Sequence, residues 1–139
     1  MPTFSKQERL CSQKLLDELF HSGHRLMVFP YSVHWKLCRA EALPEGVPCQ
    51  VLIATSKKKF HHAVDRVRVK RLTRECYRLH KPELYKFLEE NNLHLLLGVN
   101  YIHNEIFDYK ALYHKFDKMM GLLTDKIERS LSSETTDAR

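Results

Sequence analysis

Residues 51–81 read VLIATSKKKFHHAVDRVRVKRLTRECYRLHK, and this stretch decides the fold. The apolar run QVLIAT at 50–55 has the length and composition of a buried strand. Three lysines follow, and from 63 to 80 the apolar residues Val69, Leu72, Cys76 and Leu79 fall within one narrow helical arc. Strand, basic loop and helix therefore succeed one another, and Pro82 is expected to stop the helix because proline disfavours helical backbone in the residue before it.

The charge on this segment is its second property. Residues 56–81 hold ten Lys and Arg against Asp65 and Glu75 alone, a net +8 in a chain whose total is +6, so the remainder carries −2. Arg66, Lys70, Arg74 and Arg78 recur every fourth residue, and Arg68 and Arg71 widen the ridge. Like charges at this spacing destabilise an isolated helix by a few tenths of a kcal/mol per pair. A face tuned only for solubility would mix signs, whereas arginine forks grip phosphate oxygens in pairs. The partner is expected to be a polyanion. Asn and Gln, the usual readers of adenine, are missing from this helix, which favours backbone and shape recognition of structured RNA over sequence-specific DNA reading.

Working outward, Ser12 is placed to cap a short helix carrying Leu15, Leu16, Leu19 and Phe20, with Gly23 ending it. Residues 26–37, LMVFPYSVHWKL, read as strand split at Pro30. After the basic helix, PELYKFLEENN reads as a short acidic turn and loop, and LHLLLGVNYI as the central strand. A last helix is expected over 109–128, with Leu112, Phe116, Met119, Leu123 and Ile127 in register. The order α-β-β-β-α-β-α predicts a small α+β two-layer sandwich over residues 1–130. Residues 131–139 are expected to form a polar, disordered tail of net charge −1.

Other chemistry is thin. Cys11, Cys38, Cys49 and Cys76 contain no C-x-x-C pair and read as reduced thiols. His61 and His62 precede Asp65, but adjacent histidines without a third ligand read as loop residues, and Glu89 and Glu90 do not converge as an acid/base pair. Trp35 and Tyr101 read as core or sheet-face aromatics. No protein-borne catalytic group and no metal site are expected. The N-terminus lacks a signal-peptide core and no window is apolar enough for a membrane helix, so a cytoplasmic protein without membrane contact is expected.

The 51–81 string closely resembles the signature of the bacterial ribonuclease P protein subunit: an apolar strand, Ser-Lys-Lys, a short loop, Ala, then Arg-Asn-Arg-x-Lys-Arg-x-x-Arg-Glu. Arg9-Leu10, the helix bearing Phe20, and Gly23 resemble that family's opening, so the likeness spans about residues 5–125. The chain departs from the pattern at Val67, where the family has asparagine, at Phe60-His61-His62, where glycine is common, and at Leu16, commonly aromatic. The resemblance implies a ribosomal protein S5 domain 2-like fold with a left-handed β-α-β crossover. It implies a subunit of an endoribonuclease in tRNA processing, hydrolysing the bond between the 5′ leader and precursor tRNA, with catalysis on the RNA subunit and its Mg2+. The protein itself would bind no cofactor and would act as a monomer in a 1:1 ribonucleoprotein. On the same basis Lys57, Lys58, Lys59, Arg66, Arg68, Lys70, Arg71, Arg74 and Arg78 would bind the catalytic RNA. A cleft between the first helix and the sheet, with Arg9, Leu16, Phe20, Tyr31 and His34, would bind the leader of the precursor tRNA. The alternative reading is a structural RNA-binding protein of the ribosomal type.

Overall fold

The computed structural model describes residues 5–56 and 58–137, with side chains to 131. Its elements follow the expected order: α1 (Gln13–Ser22), β1 (His24–Val28), β2 (Tyr31–Cys38), β3 (Cys49–Thr55), α2 (Ala63–Glu90), β4 (His94–Tyr101) and α3 (Tyr109–Asp137). Short 3-10 turns lie at Lys6–Glu8 and Ala40–Ala42.

The sheet has the order β1-β2-β4-β3. β1 and β2 form an antiparallel hairpin across the cis Phe29–Pro30 bond, β2 pairs antiparallel with β4, and β3 lies parallel to β4 after crossing through α2. β4 is the central strand, as its composition predicts. It is apolar on both sides because both sides are covered: Leu95, Leu97 and Val99 face the core under α2 and α3, while Leu96 faces α1 with Leu10, Leu19 and Leu43. The side-chain alternation of a strand thus separates two cores, one on each sheet face.

α1 begins where the Ser12 hydroxyl accepts from the Leu15 amide at 3.4 Å. It ends at Gly23 because the chain turns back so tightly that a Cβ there would lie 2.3 Å from the Leu19 carbonyl oxygen. Only glycine fits that approach.

α2 departs from the expectation of a stop before Pro82. It runs 28 residues, through the proline and the whole stretch read as turn and loop. An internal proline removes one hydrogen bond and costs about 3 kcal/mol. Beyond it Leu84 and Leu88 are 2% and 0% exposed, and burying two leucines returns about 1.5–3 kcal/mol each. Packing therefore outweighs the break, and Pro82 itself sits on the outer side.

The docking stripe is also wider than expected. Val69 and Cys76 are buried, but Leu72 is half-buried and Leu79 is 38% exposed; Thr73, Tyr77 and His80 take the inner places. Two of these are polar and are accepted because they are bonded: Thr73 Oγ1 lies 2.8 Å from the Tyr31 hydroxyl, and His80 Nδ1 2.7 Å from the Cys76 carbonyl oxygen.

In α3, Leu112, Phe116, Met119, Leu123 and Ile127 are all fully buried, as their spacing predicts. The helix does not end near Glu128. Leu131 continues the stripe against the core, so residues 131–139, expected as a tail, begin on this helix, which extends to Asp137. The cysteines are unbridged thiols, and burial pushes Cys49 and Cys76 up to about 12 and Cys38 up to about 11.

Candidate nucleic-acid interface

The first turns of α2 present the arginine face. Arg68 and Arg71 are exposed, Lys70 and Arg74 are half-buried along its flank, and Lys58 and Lys59 project from the preceding loop. Lys57 lies outside the described residues. Burial first, then Arg9 and Arg71 alongside, lowers the Arg74 guanidinium from its ordinary pKa. Such crowding of cations is relieved by an anion between them.

Two of the expected contacts are occupied within the protein. Arg66 Nη1 donates to the carbonyls of Phe60 at 2.7 Å and His61 at 3.2 Å, so this side chain clamps the basic loop to the helix. Arg78 Nε donates to Glu75 Oε2 at 3.0 Å, and that bond holds the Glu75 carboxyl below its usual range. Arg78 Nε and Nη2 are thus both engaged by Glu75, three residues back on the same helix. The loop has a second anchor in Phe60, whose ring is 6% exposed and packs 6.0 Å from Tyr101. The phenyl that departs from the family pattern is thus a plug into the core. His61 and His62 remain exposed beside it.

The other face of the sheet carries the cleft. Phe20 is 48% exposed, its ring 5.0 Å from that of His34 and steeply inclined to it at 70°. Gly98 makes room beneath, since a Cβ there would lie 3.3 Å from Leu19 Cδ2 and 3.6 Å from Phe20 Cζ. Leu16 flanks them, half-buried against the small core under α1. Burial first, and Arg25 second, lowers the His34 pKa, which favours a neutral imidazole able to stack.

Tyr31 does not belong to this cleft. It is fully buried on the opposite face, its hydroxyl against Thr73 and its ring edge-on to Phe116 and Tyr101. Residues three apart on a strand point to opposite faces, so Tyr31 and His34 cannot share one. The same alternation brings in a residue that the sequence did not single out, Lys36, on the His34 side. Lys36, Lys14 and Arg39 join Arg9 around a hollow of about 1240 Å3 between α1 and the end of β2, against the carboxylates of Glu18 and Glu41. Arg9 sits at the sheet edge, bridged to Val51 of β3, with Leu10 N donating to the Val51 carbonyl at 3.0 Å. It also lines a small pocket with Arg74, so cations pass continuously from the α2 face around the β3 edge to the cleft side. Trp35 and Tyr101 are core residues, 3% and 1% exposed.

Known proteins share this fold. The Staphylococcus aureus RNase P protein superposes with a TM-score of 0.60 at 16% identity, covering 85% of this chain and 96% of its own. The Thermotoga maritima RNase P protein gives 0.57 at 20%, covering 81% and 94%. At those identities the likeness is one of fold. In sequence, the ribonuclease P protein component of Porphyromonas gingivalis is 31% identical over 131 residues, 93% of each chain, and that of Chlorobium phaeobacteroides is 34% identical over 102, 70% of each. The family model described as Ribonuclease P matches residues 4–120, which take in the basic loop, the arginine helix and the cleft together. The chain accordingly belongs to the ribonuclease P protein family.

Proposed function

We propose that the protein serves ribonuclease P by binding two RNAs with its two faces. The cations of α2 and its loop, exposed Lys58, Lys59, Arg68 and Arg71 with half-buried Lys70 and Arg74 beside them, hold the catalytic RNA, and the Phe20–His34 cleft holds the single-stranded 5′ leader of precursor tRNA. One observation carries this reading: a one-signed arginine face and an aromatic-floored cleft lie on opposite sides of one sheet, joined at its edge by Arg9 and Arg74. The first offers phosphate contacts and the second offers rings to unpaired bases, which stack with little sequence preference. Both RNAs are polyanions, so the cation belt lowers their mutual repulsion through counterion release. Hydrolysis of the phosphodiester would be carried by the RNA subunit and its Mg2+, which leaves the protein the tasks of binding and orientation.

Reconstitution tests this reading. Added to its cognate ribonuclease P RNA at low Mg2+, the protein is expected to stimulate precursor tRNA cleavage; no stimulation would favour a structural RNA-binding role instead. Within the assembled enzyme, Phe20→Ala is expected to weaken precursor tRNA binding by about tenfold, the scale of one base–aromatic stack. Mature tRNA affinity should not change. Equal weakening for both would remove the leader from this cleft.

A further inference from the structure

On the far side of the molecule from the cleft, α2 and α3 enclose a groove of about 390 Å3 lined in part by His80, Glu83, Asp117, Thr124 and Glu128. His80 is 6% exposed, its ring held between Tyr113 and Phe116 with centroids 4.6 Å and 5.5 Å away. Its Nδ1 lies 2.7 Å from the Cys76 carbonyl oxygen, an acceptor only, so Nδ1 carries the proton. That assigns the lone pair of the neutral ring to Nε2, which is buried without a hydrogen bond. Nε2 faces Asp117 Oδ1 at 3.3 Å.

We propose that His80 and Asp117 form the protein half of a divalent transition-metal site joining α2 to α3. Bonds of about 2.0–2.1 Å at a tetrahedral angle place two donor atoms about 3.4 Å apart, so the observed separation accepts one ion between them. A backbone carbonyl fixing the tautomer through the other ring nitrogen is the usual support of a metal-bound histidine. Glu83, three residues after His80 and exposed, lines the same groove and is the third ligand this proposal assigns. Among the described residues no three such side chains already converge, so the site closes only on binding, with water in the remaining position. An imidazole with carboxylates selects Zn2+ or Co2+ over Mg2+.

Titration of the full protein with ZnCl2, followed by the imidazole resonances of His80, tests the proposal. Zn2+ is expected to shift the His80 Nε2 resonance at one equivalent, and Co2+ to compete for the same site. The Asp117 side chain is 70% exposed, so Asp117→Asn is expected to keep the fold and to weaken binding by about tenfold or more, the scale on which even changes beyond the ligands act. Glu83→Gln should weaken it less. If Zn2+ leaves the His80 resonances unmoved, or if Asp117→Asn binds as the parent does, the pair is an ion pair only and the proposal fails. Neither readout depends on RNA.

Discussion

Glu8→Gln is expected to lower the stability of the isolated protein by about 3 kcal/mol in urea denaturation. Glu8 and Lys81 have side chains 12% and 8% exposed, and the ammonium touches both carboxylate oxygens, at 2.8 and 2.7 Å. They join the 3-10 turn at Lys6–Glu8 to α2, across 73 residues. Removing the carboxylate leaves Lys81 buried without its anion, and breaking such a pair costs about 3–5 kcal/mol, more than the intact pair contributes. The double variant Glu8→Gln, Lys81→Met should therefore recover most of that stability, because the desolvated charge is gone. A double variant as unstable as the single one would refute the argument. The pair also holds the segment carrying Arg9 against β3, so Glu8→Gln is expected to loosen the link between the two faces proposed to bind RNA as well as the fold.

Reversing two charges should have the larger effect on assembly. Arg68→Glu with Arg71→Glu is expected to weaken catalytic RNA binding by about a hundredfold at moderate salt, roughly tenfold for each phosphate left without its arginine. The slope of log affinity against log salt should become shallower by about two, one for each of those phosphates. Both side chains are exposed, so thermal stability should hold or rise slightly as the like-charge repulsion falls. Arg78→Glu provides the contrast. Its guanidinium is already bonded to Glu75, and its reversal should change affinity much less than reversal of Arg71. Equal effects at Arg71 and Arg78 would count against the assignment of the outer face.

The parts legible in the sequence were those written in periodicity. α3 shows the five buried positions its spacing predicts, and Gly23 ends α1 because no side chain fits there. What the sequence concealed was polarity accepted into the core. Thr73, His80 and Lys81 lie outside the apolar arc that the spacing marks, and each is buried because a partner distant in sequence, or the helix's own carbonyl, satisfies it. Arg66 and Arg78 show the converse: a charge count does not record which cations are already bonded within the protein.

Pro82 and Tyr31 mark the division most clearly. By itself the sequence determined the elements, their order and the one-signed face on α2, because those follow from local spacing and from charge. Whether α2 crossed Pro82 rested on Leu84 and Leu88 finding a surface to cover, and that surface is made by α3 and the sheet. Which aromatic entered the cleft rested on strand parity and on α1 choosing the His34 side, where Gly98 leaves space for Phe20. Local preferences amount to a few kcal/mol and are readable residue by residue; burial against distant elements is of the same size or larger, and only the assembled fold supplies it.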